Sequence, residues 1–349
     1  MKNETSNTQQ LTDWVINKIK TEYPNDVALL VSVEGASVNG DGHGEAFDYF
    51  VPATERGNEL AQTFIIGGVG NDLYPRSWER CERNAALDGR YPLCLGKAKI
   101  LYSRTREDEK RFESIRQKLF DNLANPEFTY KKALENLDVA MGLYRTMMFD
   151  ERLYKARGLA GFIFRYLSDA VAYINGTYID TYHNGIINVV VKWEKLPERF
   201  AEYFYAIVSA STAGELRSLS HLLIVSVRQL IARHKPQNPD NTKMPDYKWL
   251  ADWYQEIRNW WNRMYFYCDT KNTVAAFDEA CQLQSELDII SEEFGLEEMD
   301  LLGCFDALDL GPLSRRAAEL EKIIISTIEG QGITIRRYDT LEEFLAAEK

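Results

Sequence analysis

No run of eighteen apolar residues occurs in this 349-residue chain, so the sequence offers no membrane-spanning helix. Cysteine is sparse: the five residues (Cys81, Cys94, Cys268, Cys281, Cys304) lie far apart and form no C-x-x-C pair. That spacing supports neither a disulfide framework nor a cysteine zinc site, and reduced thiols are expected. The opening MKNETSNTQQ lacks an apolar signal core, which sets the expectation of a cytoplasmic protein. Basic charge is also short. With 41 Lys and Arg against 53 Asp and Glu the formal charge is -12, a surface that repels polyanions. Affinity for nucleic acid rests largely on phosphate neutralisation, so DNA and RNA are disfavoured as partners and small cationic or neutral substrates suit better. What remains is ordinary globular composition, 45% hydrophobic and 27% charged, long enough for two domains.

Patterning along the chain changes once. A helix is expected over Leu11–Tyr23, capped by Thr12 or Asp13, with Leu11, Trp14, Val15 and Ile19 as its apolar stripe. Val27–Val33 reads as a buried strand and Ala46–Val51 as a second, stopped by Pro52. Between them lies the glycine-rich stretch Gly40–Gly44, read as loop. Thr63–Gly67, Asp72–Tyr74 and Lys99–Ser103 supply further strands of a mostly consecutive sheet, and Arg106–Leu119 a charged helix. Asn125-Pro126 is the expected boundary between a domain at 1–125 and a helical domain at 126–349. Beyond it Tyr130, Leu134, Leu137, Met141 and Tyr144 recur at helical spacing, and Leu159–Tyr173, Phe200–Val208, Leu216–Ala232 and Leu250–Tyr265 continue the pattern. Residues 235–246 form a polar linker, and only Ile333–Arg337 has strand character near the end. The fold class expected is α+β: a mixed sheet with flanking helices, then a helical bundle.

The chemistry-bearing residues cluster around the second strand. Val31-Ser32-Val33-Glu34-Gly35-Ala36-Ser37 leads through Asp41 and Glu45 to Asp48-Tyr49-Phe50-Val51, and Asp72 follows in Gly70-Asn71-Asp72-Leu73-Tyr74-Pro75. This order over Leu11–Arg104 resembles the nucleotidyltransferase superfamily of the DNA-polymerase-β type, and within it the aminoglycoside adenylyltransferases. The resemblance implies a Gly-Ser turn that lets backbone N–H groups approach a triphosphate, and strand carboxylates that hold magnesium. Carried over by position, Gly35 and Ser37 bind the nucleotide, while Asp48 and Asp72 are the catalytic, metal-holding carboxylates, with Glu45 or Asp41 as a further ligand. ATP or another nucleoside triphosphate is the implied substrate, and a hydroxyl on a small molecule or protein the implied acceptor. The chain departs from the pattern twice: Ala36 stands where serine is usual, and Phe50 where the i+2 carboxylate of Asp48 belongs. Those departures leave two readings, a transferase and a catalytically silent module that binds a nucleotide or a partner protein.

Other features have weaker bearing. Arg76, Ser77, Trp78 and Arg80 could contact a substrate or form a plain helix face, and Lys97 and Lys99 could offset phosphate charge or guard a strand edge. Arg228…His234 resembles the R-x(4–6)-H spacing of HEPN-type ribonuclease domains, a short pattern common by chance. Trp253, Trp260 and Trp261 read as core, and Gly176 as a helix C-cap.

Overall fold

In the computed structural model, which describes residues 2–33, 47–89, 91–181, 185–236 and 245–347, Val27–Val33 forms β1, buried along its whole length. Its alternating residues feed two cores. Leu30 joins a cluster with Val15 and Ile19 of α1 (Lys2–Glu22), and Leu29 and Val31 join the main core on the opposite face. β1 pairs antiparallel with β2 (Phe47–Pro52) on one side and with β5 (Ala98–Ser103) on the other. β3 (Gln62–Ile66) and β4 (Val69–Pro75) make a hairpin, and β4 runs parallel to β2. The five-stranded order is β3-β4-β2-β1-β5, so the sheet is mixed and only partly consecutive. The hairpin turn needs left-handed backbone at both Gly67 (φ +57°) and Gly68 (φ +83°), which glycine adopts without strain.

By its contacts the chain divides into two compact units, Met1–Gln237 and Asn238–Lys349. The division falls inside the polar segment 235–246. The expected boundary at Asn125-Pro126 is instead a joint within the first unit, between α4 (Arg106–Leu123) and α5 (Pro126–Met148). Asn125 caps α5 by accepting from the Glu127 and Phe128 N–H groups. The remaining elements of this unit are α2 (Trp78–Ala85), α3 (Leu93–Gly96), α6 (Leu153–Ile174), α7 (Ile186–Val190), α8 (Phe200–Ser209) and α9 (Ala213–Arg233). The second unit holds α10 (Tyr247–Asp269), α11 (Thr273–Phe294), α12 (Gly311–Gly330) and α13 (Leu341–Ala347). Trp253 and Trp261 are buried in its core, with Leu283, Leu287, Leu320 and Ile324 from the facing helices.

Three local expectations are corrected. α1 begins at Lys2, so Thr12 and Asp13 lie inside the helix and cap nothing. Residues Ile333–Arg337 form no strand; Ile335 is buried and the Arg336 N–H donates to Gln255 Oε1 at 2.7 Å, a side-chain bond in place of a ladder. On α5 the helix is present but its buried face is Thr129, Ala133, Leu137, Ala140 and Met147, while Leu134 and Met141 are exposed. Small residues let α5 pack closely against both α6 and α9. Of the stripe read from the sequence, Leu137 is buried and Tyr130 and Tyr144 pack against the core, while Leu134 and Met141 point elsewhere.

Candidate functional site

Asp48 sits in a β-bulge. Val31 of β1 faces Tyr49 and the next residue, Ser32, faces Phe47, so Asp48 is the extra residue of β2. A bulge breaks strict alternation and re-aims a side chain. Phe47 and Phe50 both enter the α1-side core, and Tyr49 and Val51 enter the main core. Phe50, the position where a second carboxylate was sought, is 0% exposed. Asp48 is half-buried, and its Oδ2 accepts from the Tyr74 hydroxyl of β4 at 3.3 Å.

Tyr74 links the acid to a base. Its hydroxyl oxygen accepts from Arg76 Nη2 at 3.1 Å. The Arg76 guanidinium lies over the Tyr49 ring at 4.7 Å and near the Tyr74 ring at 5.8 Å, and the residue is only 2% exposed. The Arg76 N–H donates to the Phe50 carbonyl at 2.8 Å, which fixes the chain as it leaves β4. Burial, then the Asp48 charge, pushes the Tyr74 hydroxyl up to about 12, so it keeps its proton and donates to the carboxylate. Tyr49 is raised well above its ordinary value, chiefly by burial, and its hydroxyl donates to the Cys94 carbonyl at 2.8 Å. Burial also pushes the Cys81 thiol up to about 11, which makes it a poor nucleophile.

Asp72 is exposed on β4, opposite Thr63 of β3. β2 and β4 are aligned with Tyr49 level with Tyr74. Asp72 lies two residues before Tyr74 and therefore shares its face of the strand. Gly35, Ser37 and Glu45, together with Ala36, Asp41 and His43, lie outside the described residues.

Past Arg76 the chain turns into α2, and a cavity of about 460 Å³ opens there, lined by Arg76, Arg80, Arg83 and Asn84 with Glu79 and Asp88. Ser77 is the α2 N-cap, accepting from the Arg80 N–H at 3.2 Å, and Arg111 covers the Trp78 ring at 4.3 Å. Of the polar-aromatic run noticed in the sequence, Arg76, Ser77 and Arg80 thus line a cavity, Ser77 also capping α2, while Trp78 packs against the core. Arg83, Asn84 and Asp88 escaped sequence reading, because their spacing is that of any solvated helix. A neighbouring cavity of about 270 Å³ shares Asp88 and adds Glu135, Asp169 and Tyr173. Lys132 offsets two of its carboxylates, bonding Asp88 at 2.5 Å and Glu135 at 2.7 Å.

Elsewhere, Lys97 pairs with Asp180 at 2.8 Å, a structural use of the charge. Arg228 is exposed on α9, while His234 Nδ1 turns back to the Leu230 carbonyl at 2.9 Å. The helix thus directs those two residues differently.

No family model matches the chain, and no curated protein matches it. Among solved structures the chain is similar to a nucleotidyltransferase-like protein from Exiguobacterium sibiricum 255-15, at 13% identity over 63% of this chain and 74% of that one, with a TM-score of 0.36. At that score the likeness carries no weight for activity, and the chemistry must be argued from the residues.

Proposed function

We propose that the first unit is a nucleotidyltransferase-type module that binds a nucleoside triphosphate and transfers its nucleoside monophosphate to a hydroxyl. The observation that supports this reading is the bulge at Asp48. It sends a strand carboxylate to the Tyr74 hydroxyl of β4, and Asp72 stands two residues earlier on Tyr74's face of that strand. Two acids on neighbouring parallel strands are what the resemblance requires of Asp48 and Asp72.

Magnesium prefers an octahedral shell of oxygens, part of it from substrate phosphates and water. Asp48 and Asp72 are the right donors for one such ion, with Glu45 as the further candidate. Phe50 supplies no second carboxylate, and no group of three or more His, Cys, Asp or Glu is assembled among the described residues. When bound, the ion would neutralise the triphosphate and acidify the attacking hydroxyl. The chain's own contribution is to hold Asp48 in place: Tyr74 donates to it, and Arg76 fixes Tyr74. ATP or another triphosphate, and an acceptor on a small molecule or protein, remain the substrate classes of this proposal.

The second reading, a silent nucleotide- or protein-binding module, is favoured by the burial of Phe50 and by the engagement of Asp48 with Tyr74. Calorimetric titration of triphosphates with and without magnesium, on wild type, Asp48→Asn and Asp72→Asn, separates the two. Metal-dependent binding lost in both variants, with pyrophosphate released in the presence of acceptor, supports the transferase. Triphosphate binding indifferent to metal and to both substitutions supports the silent module, and no triphosphate binding at all sinks the proposal.

A further inference from the structure

Two residues that line the cavity beside α2 each hold a buried nitrogen with no hydrogen-bond partner among the described residues. Arg76, 2% exposed, keeps its Nε–H without an acceptor, and Asn84, 3% exposed, keeps its amide nitrogen without one. A buried donor left unpaired costs free energy comparable to a lost hydrogen bond, so an acceptor bound in the cavity and reached by a small side-chain shift would relieve both residues. The 88–89 turn packs closely on the Asn84 amide: a Cβ on Gly89 would lie 2.0 Å from its Oδ1, so a larger residue there would displace the amide.

Basic groups outnumber acids around these donors. Arg80 and Arg83 line the same cavity, and among the described residues neither forms an ion pair. The lining carboxylates are Glu79 and Asp88, and Asp88 is already paired with Lys132 at 2.5 Å. Three guanidinium groups therefore face two acids, one of which shares Lys132 with Glu135. Guanidinium forks match the oxygens of phosphate and carry a fixed charge, whereas a carboxylate would leave part of this donor set unused. A volume of about 460 Å³ lies within the range of small-molecule sites.

We propose that Arg76, Arg80, Arg83 and Asn84 form a binding site for a phosphate or diphosphate group. The site uses neither Asp48 nor Asp72 as a ligand, meets Asp48 through Tyr74, and needs no metal. It does not rest on the transferase reading, because its residues are three arginines and an asparagine and not the carboxylates Asp48 and Asp72.

The test is calorimetry in the presence of a chelator, with pyrophosphate, inorganic phosphate, ADP and acetate as probes. Wild type is compared with the double variant Arg80→Gln/Arg83→Gln, whose exposed positions leave the fold intact, and with Asp48→Asn. Pyrophosphate is expected to bind wild type and Asp48→Asn alike and to weaken about tenfold or more in the double variant, since each guanidinium makes a charge-assisted contact. Tighter binding of ADP than of pyrophosphate assigns the phosphate to a nucleotide; the reverse order assigns it to a free polyphosphate. No binding of any phosphate probe, equal binding of acetate and pyrophosphate, or unchanged affinity in the double variant, verified as folded by its thermal melt, overturns the proposal. Loss of metal-dependent triphosphate binding in Asp48→Asn, with chelator-insensitive pyrophosphate binding retained, distinguishes this site from the transferase centre.

Discussion

Replacing Tyr74 by Phe removes one oxygen and isolates the link between the acidic strand and the buried arginine. In the wild type that oxygen donates to Asp48 at 3.3 Å and accepts from Arg76 at 3.1 Å. Its loss leaves Arg76 with Nη2 as well as Nε unsatisfied. A buried charged donor stripped of its partner costs about 1–3 kcal/mol, so Tyr74→Phe should destabilise the first unit by about 2 kcal/mol near neutral pH. Alkaline pH provides a sharper signature. The hydroxyl, ordinarily near 10, is pushed up to about 12, so the folded chain holds a proton that the unfolded chain releases. The stabilisation is therefore complete below pH 10 and is lost as pH rises toward 12. A two-unit shift corresponds to about 2–3 kcal/mol, which partial exposure reduces to about 1–2 kcal/mol. Urea unfolding at pH 8 and again near pH 11 would measure both effects. The difference between wild type and variant should shrink at the higher pH, and using that difference cancels the titration of the other tyrosines. A variant as stable as wild type at pH 8, or a difference that does not change with pH, would refute the Asp48–Tyr74–Arg76 linkage.

Further predictions address the cores. Phe50→Asp, which writes in the missing carboxylate, should cost about 4 kcal/mol or more because it buries a charge among Val15, Ile19 and Leu73, and it should leave magnesium affinity unimproved; denaturant unfolding and a metal titration check each half. In the second unit Glu321 accepts from the Tyr254 and Tyr265 hydroxyls, both at 2.7 Å, so Glu321→Ala should cost about 3 kcal/mol in chemical denaturation and Glu321→Gln clearly less. On α5, Ala140→Leu should destabilise by about 1–3 kcal/mol through overpacking, while Met141→Gln should stay within about 0.5 kcal/mol. Equal effects at these two positions would mean that the buried face of the helix is assigned wrongly.

The strands and most helices were legible because burial imposes periods of two and 3.6 on apolar residues, and those periods survive in a single sequence. β1 was read at its observed bounds, Val27–Val33, because it is buried on both faces and shows an unbroken apolar run. The face of α5 was legible only in part: Leu137, Tyr130 and Tyr144 meet the core, whereas Leu134 and Met141 do not. Alanines carry little pattern weight, yet Ala133 and Ala140 are fully buried on the helix that packs against α6 and α9. The strand character of Ile333–Arg337 was local propensity without a partner strand to pair with.

At the candidate site the division has a similar cause. The residues themselves fixed which acids exist near β2, and they exposed the departure at Phe50, since an i+2 rule needs only a strand. Whether Asp48 keeps to that rule depends on a bulge, and a bulge is a relation between two strands. The arginine cavity is likewise tertiary. Arg76, Arg80, Arg83 and Asn84 look in sequence like a solvated helix, and only the packing of β4, α2 and the turn at Gly89 buries Arg76 Nε and Asn84 Nδ2 with no acceptor among the described residues. Composition and periodicity determined an α+β chain with acids on its second strand; long-range contacts decided which polar groups were left without partners, because the cost of burying a donor depends on neighbours that the local sequence does not contain.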